Sequence, residues 1–188
     1  SGVNKVNTFL FRCENTPTDN DDYPTKGRKT DASFEVSSEA IGSDFDFLRT
    51  KLGTAFYYTP LKLQSPFNKL TLVFLQQAGW MRKTADEDEI PFFERFYAGG
   101  TTTVRGYRPR YLAPRDNEDE PIGGNSMASW TLEARYPVWK DIKGAVFYDQ
   151  GNAWAKSRDF DLADTKAGIG TGLRWVMRFG TARLDYGY

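Results

Sequence analysis

Three charged residues, Arg105, Glu133 and Asp149, are the groups whose type and setting could do chemistry in this chain. Glu133 follows Leu132 and Asp149 follows Phe147-Tyr148, each on the charged side of a segment that alternates apolar with polar residues. Two carboxylates on adjacent strands suggest a glycosidase-like acid and base. The rest of the sequence argues against that: it has no nucleophile elbow, no histidine and a single cysteine, Cys13. Zinc-type sites, Cys-His nucleophiles and internal disulfides are thereby removed together. Arg105, set between Val104 and Gly106, offers the simpler partner, because a planar guanidinium pairs bidentately with a carboxylate. Glu133 and Asp149 are then expected to neutralise Arg105, in a chain that is no enzyme and holds no metal or cofactor. The alternative leaves Arg105 solvated on a mobile loop.

Arg105 belongs to a long stretch, 91–125, which opens on the aromatic cluster Phe92, Phe93, Phe96 and Tyr97. Gly99 and Gly100 follow, then Arg105-Gly106-Tyr107, and the stretch closes on Pro121-Ile122-Gly123-Gly124-Asn125. Structureless connections beyond roughly 12–15 residues are uncommon and usually functional or disordered, and the aromatics argue against disorder. An ordered loop that folds onto a wall is expected, with Phe92, Phe93, Phe96, Tyr97, Gly99 and Gly100 as its packing residues.

The elements that must position this loop alternate with period two, hence strands. In Ser126 to Tyr136, Ala128, Trp130, Leu132 and Ala134 oppose Ser129, Thr131, Glu133 and Arg135. In Lys166 to Met177, Ile169, Leu173 and Trp175 oppose Gly168, Gly170, Gly172 and Arg174. Eight strands are predicted, near Val3 to Cys13, Gly27 to Ala40, Phe45 to Thr59, Lys69 to Met81, Ser126 to Tyr136, Lys143 to Trp154, Lys166 to Met177 and Thr181 to Tyr188. Most reach the roughly 9–11 residues that a tilted strand needs to cross a bilayer, whereas soluble strands average about five or six. Short turns on one side and long loops on the other are the plan of an outer-membrane barrel. Leu48, Leu52, Phe56, Trp130, Leu132, Ile169, Leu173 and Trp175 form the predicted lipid-facing band. Tyr57, Tyr58, Trp80, Tyr136, Trp139 and Trp154 stand as interfacial aromatics. A soluble β-sandwich is the competing fold, but glycines on the charged face suit a crowded lumen better than open solvent.

Lys and Arg number 25, as do Asp and Glu, so no global charge points to nucleic acid or an anionic surface. The acidic runs Asp19 to Asp22, Asp86 to Glu89 and Asn117 to Glu120 read as solvated turns and loop tips rather than calcium sites. No apolar run approaches the roughly 20 residues of a spanning helix. No secretory signal opens the chain, and its start is expected to be processed or cut from something longer.

Together, Phe92-Phe93-Glu94-Arg95-Phe96-Tyr97-Ala98-Gly99-Gly100, Val104-Arg105-Gly106-Tyr107 and Ile122-Gly123-Gly124-Asn125 resemble the long loop of the outer-membrane β-barrel assembly superfamily, the BamA/TamA-like proteins. The resemblance extends to Tyr23-Pro24-Thr25-Lys26-Gly27-Arg28, Leu132-Glu133, Phe147 to Trp154 and Arg183 to Tyr188, and so covers the chain from about Tyr23 onward. It implies an antiparallel transmembrane barrel of about 16 strands. This chain, 1–188, would supply a partial barrel domain of about eight, lacking the first strands and the last, with 91–125 as the lumen loop. It also implies a Gram-negative-type outer membrane, with periplasmic repeat domains ahead of the barrel. The implied activity is the folding and insertion of other β-barrel proteins without ATP. Partners would be outer-membrane lipid, unfolded β-barrel clients, accessory assembly proteins, and the remaining strands of the barrel or another chain, with no nucleic acid. By the same resemblance, Arg105, Gly106 and Tyr107 with Glu133 and Asp149 form the lock of the loop onto the wall. In this family client strands are thought to pair at the seam between first and last strands, so these residues alone should not catalyse insertion. A two-partner-secretion pore of the FhaC type shares the Arg-Gly-Tyr loop and remains the alternative.

Overall fold

The computed structural model describes residues 4–60, 69–84 and 89–188. Among these described residues eight strands are formed: β1 Thr8–Asn15, β2 Gly27–Ser37, β3 Phe47–Tyr58, β4 Thr71–Lys83, β5 Ser126–Trp139, β6 Ile142–Trp154, β7 Lys166–Met177 and β8 Gly180–Gly187. Each pairs antiparallel with the next in one sheet of order β1 to β8, with β1 and β8 at its edges. The all-β expectation and the eight strands hold.

The strand bounds differ where the chain has no neighbour to pair with. β1 starts at Thr8, because its partner β2 ends at Ser37 and turns into the short 3-10 segment Glu39–Ile41. The preceding residues are caught by that turn instead: the Lys5 N–H donates to Asp44 Oδ2 (2.6 Å) and Asn7 Nδ2 to the Ile41 carbonyl (2.9 Å). Val3, the predicted strand start, lies outside the described residues, as do Asp86, Glu87 and Asp88 of the acidic run that ends at Glu89. β5 runs past Tyr136 to Trp139 through a bulge between Pro137 and Trp139, and Lys140, at φ 43°, makes the tight turn into β6.

Period two separates the faces of this sheet as expected. Leu52, Phe56, Leu132, Ile169, Leu173 and Trp175 are exposed on the outer face. Leu48 and Trp130 are half-buried there, the indole lying 5.2 Å from the Tyr148 ring. Tyr58, Trp80 and Trp139 are exposed at strand ends, where an interfacial girdle needs them. Two other girdle assignments are corrected. Tyr57 shares the inner face with Gly53 and Ala55 and lies under the Arg135 guanidinium (5.8 Å), while Trp154 is buried beneath Phe160 of the β6–β7 loop (5.1 Å).

The inner face is covered by the loop between β4 and β5. Phe47, Met81, Ile90, Phe96, Met127 and Ala153 form one core cluster, joining the wall to the loop's entry. A second cluster, Ala98, Val104 and Leu112, belongs to the loop alone, so the loop carries its own small core. Short pairings of Phe96 with Gly124, Ala98 with Leu112, and Arg115 with Pro121 hold its limbs together.

Candidate functional site

Gly99 and Gly100, with φ of 94° and 93°, reverse the loop after Ala98, a conformation that side chains with a Cβ resist. The Gly100 N–H donates to the carbonyls of Val104 and Tyr107, both at 3.1 Å, which sets the Arg105-Gly106 corner. Gly106 has φ 98°, and a Cβ there would meet the Tyr188 backbone at 2.9 Å. Tyr107 packs on the loop's own core and stacks with Tyr111 at 6.4 Å between ring centroids.

This corner drives Arg105 into the wall. Its Nε and Nη2 donate to Asp149 Oδ2 (2.7 Å) and Oδ1 (2.8 Å) as a bidentate fork, and its backbone N–H reaches the same Oδ2 at 3.0 Å. Nη1 donates to Glu133 Oε2 at 2.8 Å and to Asp185 Oδ2 at 3.2 Å. The guanidinium also lies 3.4 Å from the centre of the Phe147 ring, a close cation–π contact. Burial opposes its charge, but the hydrogen bonds to Asp149 and Glu133 outweigh burial and raise its pKa above the ordinary arginine value. Arg105 therefore stays a cation in this site.

The three residues singled out as a lock, Arg105, Glu133 and Asp149, are thus brought together and buried. Further residues complete the network. Arg174 on β7 donates from Nη2 to Glu133 Oε2 (3.0 Å) and pairs through Nη1 with Asp185 on β8. Arg135 donates from Nε to Glu133 Oε1 at 2.7 Å, and Thr131 Oγ1 donates to Asp149 Oδ1 at 2.8 Å. Arg105, Arg174 and the half-buried Arg135 face Glu133, Asp149 and Asp185, and the more exposed Arg183 also reaches Asp185 Oδ2 (3.2 Å), so each carboxylate of the cluster is paired. The sequence held a signal for Arg174, which alternates with the glycines of β7, but its partner follows only from the register of β7 on β8.

The glycine row makes room for the lock. A Cβ on Gly168 would lie 2.0 Å from the Arg105 carbonyl oxygen, and Gly170 lies beneath the Phe147 ring on which the guanidinium rests. The crowded-lumen expectation is therefore met by specific close approaches.

Of the packing residues, Phe96 is buried against the wall and Gly100 is buried in the turn beside the half-buried Gly99. Tyr97 is half-buried, with its hydroxyl donating to the Phe92 carbonyl (2.8 Å) and Arg110 over its ring (4.8 Å). Phe92 and Phe93 are a correction: both rings are exposed, edge to face with each other at 5.6 Å. They lie on a tight turn at the rim, where the Glu94 N–H donates to the Pro91 carbonyl (3.0 Å), before Phe96 carries the chain inside. The arrangement seats the loop on the wall, with Arg105 engaging both Asp149 and Glu133.

Among solved structures the fold is similar to BamA from Haemophilus ducreyi, lacking POTRA domains 1-3, at TM-score 0.80 and 20% identity, covering 96% of this chain and 38% of that one. At that identity the likeness speaks for the fold. An outer membrane protein assembly factor BamA from Nitratidesulfovibrio vulgaris is 33% identical over 191 residues, spanning all of this chain and 23% of the relative. The BamA of Neisseria meningitidis serogroup B is 29% identical over 147 residues, 73% of this chain and 17% of that protein. The chain thus spans about a quarter or less of these curated relatives. The Omp85 superfamily domain matches residues 2–188, nearly the whole chain, and with the fold and the relatives in agreement the chain belongs to that superfamily.

Proposed function

We propose that the protein to which this barrel segment belongs is an outer-membrane assembly factor that folds and inserts β-barrel proteins. The observation that carries this is the pairing of the family match over 2–188 with relatives named as assembly factors. The segment lies in the outer membrane of a Gram-negative-type cell, with its apolar face on lipid, and works with unfolded β-barrel clients and accessory assembly proteins. It has no catalytic chemistry of its own. Arg105, Glu133 and Asp149 act as a structural lock that keeps the long loop against the inner wall. No observation favours the secretion-pore alternative.

The test uses the full-length protein. With Arg105→Ala in place of the wild type, the yield of other barrel proteins reaching the outer membrane falls while the variant itself still inserts. A normal yield with a demonstrably released loop removes the lock from the function. The membrane placement has its own check in Leu173→Arg, near the middle of the outer face of β7. A cation there costs about 2–4 kcal/mol of folding stability in lipid. Insertion into vesicles is the measurement, and a barrel that is monomeric and fully folded in plain buffer ends the membrane reading.

A further inference from the structure

The loop that Arg105 holds is gripped a second time, at its entrance, by residues outside the lock. Arg49 on β3 lies directly opposite Glu35 on β2 and donates to its Oε2 from Nε at 2.7 Å. Its Nη1 reaches across to the loop and donates to both the Glu94 carbonyl (2.9 Å) and Glu94 Oε2 (2.8 Å). The Arg49 and Glu35 side chains are largely withdrawn from solvent, and the guanidinium lies 5.6 Å from the Phe47 ring. A wall pair would be complete with Glu35 alone. One fork that binds a wall carboxylate together with a loop side chain and a loop carbonyl fixes the position of the loop's backbone as well as its charge.

We propose that Arg49, backed by Glu35, is a second positioning site for the loop. It holds the entering limb, 90–97, on β2 and β3, while the Arg105 cluster holds 104–107 on β5 to β8. The chain between the two sites includes Ala98 and Val104, which pack with Leu112 into the loop's own core, so it is a folded piece rather than a slack tether. The loop then straps the inner face of the sheet from one side to the other and ties β2–β3 to β7–β8. This rests on the reading of the loop as held against the wall.

Amide hydrogen exchange on the full-length protein in lipid nanodiscs separates the two sites. Glu94→Gln, which leaves the Arg49–Glu35 pair intact, and Arg49→Ala are each expected to speed exchange in 90–97 by about tenfold or more while 104–107 stays protected. Arg49→Lys, which keeps the charge without the fork, falls between. Arg105→Ala gives the converse pattern, and Arg49→Ala with Arg105→Ala exposes the whole loop. If 90–97 keeps wild-type protection in both Glu94→Gln and Arg49→Ala, or loosens only when β2 and β3 exchange equally fast, the second site is refuted. Protection of 104–107 that survives Arg105→Ala refutes the lock instead, so the two failures are told apart.

Discussion

Arg105 and Arg49 hold the same loop in different surroundings. The Arg105 side chain is 7% exposed, and its partners Glu133, Asp149 and Asp185 are 4%, 0% and 7% exposed. Arg49 is 14% exposed and faces Glu35 at 13% and Glu94 at 21%. Around Arg105 water cannot replace a lost cation, whereas at Arg49 it has partial access to the carboxylates left behind. The energy of a charge pair follows less from the number of its bonds than from what its removal strands. The lock near β7 and β8 is thus the stronger constraint, and the entrance site the more easily opened one.

The largest effect expected is therefore from Arg105→Ala. It leaves Arg135, Arg174 and the more exposed Arg183 facing the charges of Glu133, Asp149 and Asp185, with Asp149 losing its only cation among the described residues, and breaking such a buried arrangement costs about 3–5 kcal/mol. The part of the loop beyond the entrance should come free, and protease should reach the segment from Arg108 to Arg115 in intact cells or vesicles. Unchanged protection of that segment would mean that the loop's own core and the Arg49 site hold it unaided, inverting the comparison.

Much of the site is legible in the sequence, because strand parity fixes which face a residue takes before any register is known. Parity alone puts Glu133, Asp149 and the glycines of β7 on the charged face, and Arg105 follows from needing a carboxylate. Parity also places Tyr57 with Gly53 and Ala55 on the inner face, a stronger signal than the aromatic type that would put it in the girdle. Partner choice was not legible. Asp185 and Arg174, or Glu35 and Arg49, meet because of which strands are neighbours and in what register, and single-sequence periodicity contains neither. Nor could it show that Phe92 and Phe93 remain on the rim while Phe96 enters, since the three share one aromatic run.

Two glycines sharpen the contrast sterically. A Cβ at Gly168 would lie 2.0 Å from a backbone oxygen, that of Arg105, so Gly168→Ala must move either the loop or β7. Overpacking of this kind costs about 1–3 kcal/mol. At the entrance, a Cβ at Gly79 would meet the Phe96 ring at 2.6 Å, a side chain that can turn. Gly79→Ala should accordingly destabilise less. Thermal or denaturant unfolding of the two variants in detergent gives the order, and equal losses would show the entrance limb to be as rigidly seated as the lock.

The carboxylates divide the lock by role. Asp149→Asn keeps shape but removes the charge that receives the fork of Arg105 and its backbone N–H, so the loop's grip suffers directly. Glu133→Gln removes one contact to Arg105 and also the partner shared by Arg135 and Arg174, so its cost falls more on the wall. Each should weaken the lock less than Arg105→Ala, by about 1–3 kcal/mol, the scale of a hydrogen bond to a charged group, because Arg105 retains another carboxylate. Protease access to 108–115 should rise more for Asp149→Asn than for Glu133→Gln, while unfolding of the whole barrel should shift at least as far for Glu133→Gln. The reverse order of protease access would mean that Arg105 is held chiefly through Glu133, with Asp149 serving the wall.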